Sequence, residues 1–208
     1  MRKLVLPAVL VLLAAAPPLP AGAGGGPPRG ARELGEFKVT YYWMEIETDH
    51  PGPADTPLLD AGGREIARVP KRFADRLAIE GTGKLRDGRV VNYAGRDKQD
   101  GTIRYSIVRD PKAPYGYGVK SIPLVPFRSI AVDRSVVEIG AKLYIAEADG
   151  LPLPGAAAGV HHDGLFEAHD VGGGIQGRHI DIFIGTAAER KKLDLKKPKV
   201  KVWLVPKP

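Results

Sequence analysis

Three aspartates of the sequence lie in or beside short apolar runs. Asp170 ends the run LFEAHD, Asp181 lies within HIDIF, and Asp133 follows SIAV. Carboxylates are depleted in strands and strongly disfavoured in apolar surroundings, so their repeated use there indicates a chemical role. Partial desolvation raises the pKa of a carboxyl group and lets it hold a proton near neutral pH. The pattern therefore predicts a site for general acid catalysis.

Each aspartate also has a structural interpretation. Asp170 can cap the glycine-rich turn that follows it, and Asp133 can cap its own loop. The turn contains three consecutive glycines, which permit a close approach of a backbone or a sugar and make Gly173 a candidate substrate contact. A phosphate loop is not indicated, because no Lys-Ser or Lys-Thr pair follows these glycines.

Other side chains are candidates for contacts with substrate. Thr82 lies between two glycines and can donate a hydrogen bond, although Gly83 and its partner serve close packing equally well. Lys142 can tune the pKa of the aspartates if it faces them, or it can point to solvent. Tyr41 can stack on a sugar ring or fill the core of a strand.

The histidines raise the question of a metal. His161, His162 and His169 lie near Asp163 and Asp170 in the sequence. Their spacing lacks the helical pattern of two histidines four residues apart, so we expect no metal at this site and no cofactor.

The two ends of the chain differ from its body. Residues 1–23 combine a basic start, an apolar run and a small-residue site, which predicts a secretory signal peptide. A membrane anchor is less favoured because the run contains Pro7 and is short for a bilayer. Residues 24–35 have the composition of a flexible linker, and residues 36–208 are predicted to form the folded domain. We expect an exported protein, periplasmic or extracellular, with no stable membrane span after signal removal.

Charge and cysteine content exclude several classes of function. The chain has no cysteine, hence no disulfide, thiol chemistry or cysteine metal site. The formal net charge is +7, and the last twenty residues hold eight Lys or Arg against two acids. This basic end is either a solvated edge or a surface attracted to an anionic cell wall. No nucleic-acid-binding motif is present, so nucleic acid is not an expected partner.

The mature chain is predicted to be mainly β. Strand-like runs are short, rich in β-branched and aromatic residues, and separated by Asp-Gly pairs at 87–88, 100–101 and 149–150 that predict hairpins. Helix is predicted only at 70–76 and from a capping box at 186–189 to about residue 193. This spacing favours a closed barrel or a sandwich. The predicted strands are 37–46, 76–81, 89–95, 102–108, 142–148, 165–170, 179–185 and 199–205.

The segment DVGGGIQGRHIDIF at 170–183 resembles the C-terminal signature of the three-aspartate domain, which occurs in membrane-bound lytic murein transglycosylase A and in smaller bacterial wall proteins. The segments KVTYYW, IEGTGKLRDGRVVNYAG and VDRSVVEIGAKLYI are similar to other parts of that domain, in the same order. The resemblance implies a six-stranded double-psi β-barrel with short helices and loop insertions. Only residues 51–75 and 113–126 are available for insertions, so we expect an open substrate groove.

The resemblance also implies a reaction. Such enzymes cleave the β-1,4 bond between N-acetylmuramic acid and N-acetylglucosamine in peptidoglycan and leave 1,6-anhydro-muramic ends. Asp181 matches the catalytic acid/base, and Asp170 and Asp133 match the other two signature aspartates. The expected partner is the glycan strand, and the expected state is a monomer. The alternative is a non-catalytic wall-binding barrel, because related barrels in plant expansins bind polysaccharide without need of cleavage.

Overall fold

The computed structural model describes residues 25–187 and 193–207. As predicted, strands dominate this part of the chain. The predicted signal peptide and most of the predicted helix after Thr186 lie outside the described residues. No described helix is long and apolar enough to cross a membrane.

The strands are β1 (Arg32–Ile46), β2 (Thr56–Leu59), β3 (Glu65–Val69), β4 (Thr82–Lys84), β5 (Val90–Arg96), β6 (Ile103–Val108), β7 (Ser129–Val132), β8 (Lys142–Ile145), β9 (Leu165–Asp170), β10 (His179–Thr186) and β11 (Lys199–Leu204). The helix α1 is Lys71–Glu80, and the short 3-10 helices are Glu47–Asp49, Val119–Ser121 and Ala146–Ala148.

Six of these strands pair in a closed cycle, β1–β10–β7–β9–β8–β11 and back to β1. β1 runs parallel to β10 and antiparallel to β11, and β7 runs parallel to β9. Alternate side chains of each strand point into a common apolar core, as the period of a strand requires. Fully buried members of this core include Phe166, Ile180, Ile182, Val200 and Val202. The intervening residues of β1, β10 and β11 face away from it.

A second, smaller sheet extends from the end of β1. β1 pairs there with β4, and β5, β6, β2 and β3 follow in order. α1 packs on this sheet through a separate core that includes Phe73, Leu77 and Val91. The second sheet is larger than the predicted insertions, because the runs 89–95 and 102–108 belong to it and not to the cycle of six strands. Periodicity predicts a strand but cannot tell which sheet the strand joins.

The prediction of a strand at 76–81 was wrong, because these residues form the end of α1 and its cap. Phe73 and Leu77 are spaced four residues apart and are both buried, which fixes a helical face. Gly81 then adopts a left-handed conformation (φ 80°), and its N–H bonds to the carbonyl of Leu77. This is a common way for a helix to end at glycine. The glycine cap and the four-residue spacing of the buried side chains thus produce a helix, although residues 76–81 also contain a short strand-like alternation.

Two of the three predicted hairpins are confirmed. The Asp-Gly pair at 87–88 joins β4 to β5, and the pair at 100–101 joins β5 to β6. The pair at 149–150 closes no tight hairpin, since β8 ends at Ile145 and its antiparallel partner β9 begins only at Leu165.

β1 is shared by both sheets, and its partner β10 carries a bulge where they meet. Tyr42 pairs with Phe183 and Met44 pairs with Thr186, so two steps along β1 match three along β10. Bulges bend a strand and redirect its side chains, and they are frequent beside active sites. The bulge thus lies where the cycle of six strands gives way to the second sheet.

We expect Gly83→Ala to lower the free energy of unfolding by about 1–3 kcal/mol, because it overpacks the interface between α1 and β4. A Cβ at Gly83 would lie 2.8 Å from Cδ1 of Leu77 and 2.9 Å from Cζ of Phe73. Urea unfolding measures the change. The control is Gly173→Ala, since nothing lies within 4 Å of a Cβ there. Equal losses of stability in the two variants would contradict the packing role of Gly83.

Candidate active site

Asp181 lies on the outer face of β10, opposite Thr40 of β1. The hydroxyl of Thr40 donates a hydrogen bond of 2.7 Å to Oδ1 of Asp181 and lies 2.9 Å from Nε2 of His179. Within the described part of the chain, Oδ2 of Asp181 has no hydrogen-bond partner. One oxygen of this carboxyl is therefore fixed, and the other is available to a ligand.

Asp170 ends β9, and both of its oxygens are engaged. The hydroxyl of Tyr42 donates to Oδ2 at 3.2 Å, and the backbone N–H of Val171 donates to Oδ1 at 2.8 Å. Burial and the neighbouring carboxylates raise the pKa of Tyr42 well above its usual value, so Tyr42 remains a neutral donor. Asp170 is thus held in place rather than left open.

The pKa values of both carboxyl groups are raised, and the charge of Asp181 contributes to the shift of Asp170. Burial is the largest cause that raises the pKa of Asp170 to about 6; the hydrogen bonds from Val171 and Tyr42 oppose it, and the negative charge of Asp181 adds to it. Burial also raises the pKa of Asp181, against the effects of Thr40, His179 and Lys38. Two partly desolvated carboxylates this close cannot both ionise without cost. The pair therefore retains a proton toward neutral pH.

Glu80 is a third carboxyl at this site, which the sequence analysis missed. It ends α1, its side chain is only 7% exposed, and it accepts a hydrogen bond of 3.4 Å from the backbone N–H of Trp43 in β1, opposite the bulge of β10. Burial raises the pKa of Glu80 to about 7, Arg76 and Trp43 oppose this, and the charges of Glu45 and Asp181 reinforce it. The residue was missed because its segment was interpreted as a strand.

A network of hydrogen bonds and ion pairs holds Glu80 and Trp43 in place. Glu45 accepts hydrogen bonds from Nε1 of Trp43 at 3.0 Å, from His50 at 2.8 Å and from Nε of Arg76 at 3.1 Å. Arg76 also pairs with Glu80 and stacks over the Trp43 ring at 5.6 Å. Shared hydrogen bonds among buried groups hold such a network in one arrangement.

The structure does not group Asp133 with the other two aspartates. Its carboxyl accepts hydrogen bonds from the N–H and hydroxyl of Ser135 at 2.8 and 2.7 Å and from the N–H of Gly177 at 2.7 Å. These bonds lower the pKa of Asp133, and the charges of Asp170 and Asp181 do not contribute to the shift. Asp133 therefore connects the end of β7 to the glycine-rich turn as an ordinary carboxylate.

Thr82 and the two glycine candidates occupy different environments. Thr82 is 2% exposed, and its Oγ1 has no hydrogen-bond partner among the described residues. Gly83 lies against α1, which supports the packing interpretation of this glycine. Gly173 is exposed, with open space where a side chain would be, so a ligand can approach its backbone.

Lys142 and Tyr41 lie away from the paired aspartates. Lys142 is exposed on β8, with its amine 3.6 Å from the carboxyl of Glu167, and it does not contribute to the pKa shifts of Asp170 or Asp181. Tyr41 points to the inner side of β1, where its ring packs on the core and its hydroxyl donates to the carbonyl of Leu193 at 2.9 Å.

A loop segment joins the second sheet to Asp170. The side-chain amide of Asn92 on β5 makes two hydrogen bonds to the backbone of Tyr117, of 2.7 and 2.9 Å. Gly118 packs directly on the end of β9, with no room for a side chain, and the N–H of Val119 bonds to Asp170. Asn92 pairs with Thr82 across β4 and β5. The loop therefore connects Thr82 to Asp170 through a continuous series of contacts.

The histidines make separate interactions. His161 contacts a carbonyl of its own loop, and burial lowers the pKa of His162 to about 4. His169 lies between Ser129 and Glu167, at 2.8 Å from each. Within residues 25–187 and 193–207, no group of three or more His, Asp or Glu side chains has the arrangement of a metal site.

Comparison with known families identifies residues 128–205 as a match to the model of the 3D domain. Membrane-bound lytic murein transglycosylase A of Escherichia coli is 40% identical over 108 residues, which are 48% of this chain and 29% of that protein. The homologue in Vibrio cholerae is 35% identical over 68 residues, 33% of this chain and 18% of that protein. The aligned part of the chain thus spans less than a third of these relatives.

Solved structures resemble the fold over a larger part of the chain. The crystal structure of E. coli MltA with bound chitohexaose matches with a TM-score of 0.58 and 19% identity, over 84% of this chain and 73% of that one. A membrane-bound lytic murein transglycosylase from Agrobacterium tumefaciens matches with a TM-score of 0.51 and 17% identity, over 83% and 74% of the two chains. At these identities the likeness establishes a shared fold.

We expect Asp170→Asn to raise the free energy of unfolding at pH 7.5 by about 1–3 kcal/mol. The pKa of Asp170 rises from 3.8 to about 6 on folding, so the folded state binds the proton more tightly and loses stability as pH rises through this window. The asparagine cannot ionise and avoids that loss. Urea unfolding at pH 4 and pH 7.5 measures the difference, which should nearly vanish at pH 4.

Asp133→Asn is the matched control for this stability effect. Hydrogen bonds lower the pKa of Asp133 in the folded state, so its carboxylate stabilises the fold above pH 3.8 and its replacement gives no gain at pH 7.5. A gain in the Asp133 variant, or none in the Asp170 variant, would contradict the assigned shifts.

Proposed function

We propose that the protein is an exported lytic transglycosylase of peptidoglycan, because residues 128–205 match the model of the 3D domain and the chain is similar to membrane-bound lytic murein transglycosylase A. It acts outside the cytoplasm, in the periplasm or at the cell surface, after removal of residues 1–23 and with residues 24–35 as a linker. The observation that carries the proposal is the partly buried pair of Asp170 and Asp181, in which one oxygen of Asp181 is open to a ligand.

We propose that the closed cycle of six strands is the double-psi β-barrel of this family, with residues 36–208 as one domain. Two parallel pairings, β1 with β10 and β7 with β9, join otherwise antiparallel strands in the cycle. β2 to β6 and α1 are then an insertion that borders the face where Asp181 lies.

Asp181 is the general acid and base in this proposal. Protonated Asp181 gives its proton to the glycosidic oxygen, and the bond from that oxygen to C1 of the muramic residue breaks. The Asp181 carboxylate then takes the proton of the C6 hydroxyl as this oxygen attacks C1, which forms the 1,6-anhydro ring and restores the acid. The nucleophile is part of the substrate, so positioning replaces the second carboxylate that hydrolytic glycosidases use.

The neighbouring residues keep a proton on the acid pair and orient Asp181. Burial raises the pKa of Asp181, and Asp170, fixed by Tyr42, has a pKa of about 6 beside the negative charge of Asp181. Thr40 holds one oxygen of Asp181 and so directs the other outward. Asp133 acts at a distance, because it anchors the glycine-rich turn through Gly177.

The remaining candidates divide between substrate contact and support. We assign substrate contact to Gly173, whose backbone a ligand can approach, and a supporting role to Thr82, whose hydroxyl was expected to contact substrate but is buried. Gly83 supports Thr82 by its packing on α1. Lys142 and Tyr41 support the fold. Lys142 pairs with Glu167, and Tyr41 packs on the apolar core. The E. coli relative binds chitohexaose, so we propose that a strand of β-1,4-linked amino sugars lies across this face.

Incubation of the mature protein with purified peptidoglycan should release anhydro-muropeptides, which mass spectrometry detects. Asp181→Asn should lower the rate by about 100-fold or more, because the amide cannot transfer a proton. Asp133→Asn keeps only one of the two oxygens that accept from Ser135 and Gly177, but it lies outside the acid pair and should lose less than about tenfold.

Two results would overturn the assignment in different ways. Equal product from Asp181→Asn would mean that another carboxyl is the acid. No anhydro product from the wild-type protein, together with retention of the protein on sedimented peptidoglycan, would identify it as a wall-binding barrel without catalysis.

Glu80→Gln should move the alkaline limb of the pH–rate profile to lower pH by roughly half a unit. The activity needs protonated Asp181; the charge of Asp181 helps to raise the pKa of Glu80, and the same repulsion acts against ionisation of Asp181 when Glu80 is charged. Loss of that charge lowers the pKa of Asp181. The control is Asp75→Asn on the exposed side of α1, where the carboxylate pairs with Lys71. Identical limbs for the wild type and Glu80→Gln would contradict this coupling.

A further inference from the structure

A row of basic side chains crosses three adjacent strands beside Asp181. In the register of the sheet, His179 of β10 pairs with Lys38 of β1, and Lys38 pairs with Lys199 of β11. Thr40 and Asp181 form the next row on the same face, since residues two apart in a strand point to the same side. The basic row therefore lies about 7 Å along the strands from the acid.

The inner and outer faces of these strands are clearly separated. Phe37, Ile180 and Val200 are buried in the core, whereas Lys38 and Lys199 are exposed. The charge of Lys38 reaches Asp181, because Lys38 and His179 both act to lower the pKa of Asp181. The row and the acid thus share one surface.

The arrangement of Lys38 and Lys199 is unfavourable without a ligand. Like charges directly opposite each other in an antiparallel pair repel. One step away, Glu36 faces Lys201, which is the favourable arrangement. Within residues 25–187 and 193–207, no acidic side chain forms an ion pair with Lys38 or Lys199. The guanidinium of Arg178, which packs over Gly35, adds further positive charge at this end.

We propose that Lys38 and Lys199 bind a carboxylate carried by the muramic residue of the glycan strand. The inference rests on the proposed function and specifies its substrate: the site selects acidic, muramic-type strands over neutral chito-oligosaccharides. Lysine ammonium groups bind carboxylates as point charges, and an anion placed between two of them removes their mutual repulsion. The carboxylate is either the lactyl group of the sugar or a group of the attached peptide, and the experiment separates these sources.

Binding is measured in the Asp181→Asn background, so that no ligand is cleaved. The ligands are glycan strands freed of peptides by an amidase, strands that retain their peptides, and chitohexaose. Lys38→Gln combined with Lys199→Gln should weaken binding of the peptide-free strands by about tenfold at low salt and leave chitohexaose unchanged within about twofold. Added salt should bring the affinity of the parent protein down toward that of the double variant.

Lys201→Gln is the control. It removes the same charge from the same strand and face, but at a position opposite Glu36. It should leave the affinity for all three ligands within about twofold. The melting temperature of the double variant should equal or exceed that of its parent, because the substitutions remove a repulsion. A lysine dependence seen only with peptide-bearing strands assigns the carboxylate to the peptide.

Two outcomes overturn the proposal: equal affinity of the parent for chitohexaose and for both kinds of muramic strand, with and without peptides, or equal loss in the double variant and in Lys201→Gln. Neither outcome bears on whether the wild-type protein releases anhydro product, which tests the proposed function separately. Conversely, lysine-dependent binding without cleavage in the wild type would retain the site and reject the lyase.

Discussion

Repulsion between two partly buried carboxylates is the interaction on which the site depends. Asp170 ends β9 and Asp181 lies within β10, the two strands that flank β7 in the closed cycle, and burial raises the pKa of both. Water would screen the two charges if the site were open, and each acid would then titrate near its ordinary value. Because the apolar core lies directly beneath them, one proton is retained by the pair. The oxygen of Asp181 that lacks a partner is where that proton can leave.

β1 connects the acid pair to the other parts of the site. Its 15 residues pair with β10, β11 and β4. One strand therefore carries the middle lysine of the basic row, the contact to Asp181, the tyrosine that holds Asp170 and the backbone N–H that Glu80 binds. A shift of one residue in its register would turn all these groups toward the core. Inward residues such as Phe37 oppose that shift. The second sheet adds a wall to the site and a third acid through α1.

The sequence predicted the acid pair because Asp170 and Asp181 interrupt apolar runs, a local signal. It did not predict Glu80, since the end of α1 has a strand-like alternation and its proximity to Asp181 depends on packing between distant segments. It also grouped Asp133 with the pair, whereas local hydrogen bonds to Ser135 and Gly177 determine the state of that carboxylate. Tyr41 was predicted to contact sugar, but which face of β1 a residue occupies follows from the register, which a single sequence leaves open.

A titration of the Asp181 side chain tests the central claim most directly. The carboxyl carbons of Asp181 and Asp170 can be followed by NMR in the wild-type protein, and that of Asp170 also in Asp181→Asn. The account predicts a pKa of Asp181 above 3.8 in the wild type and a pKa of Asp170 of about 6 that falls in the variant, because the negative charge of Asp181 is lost. An Asp181 that titrates at or below 3.8, together with an Asp170 whose titration is the same in both proteins, would contradict a shielded, proton-sharing pair, and with it the assignment of the acid.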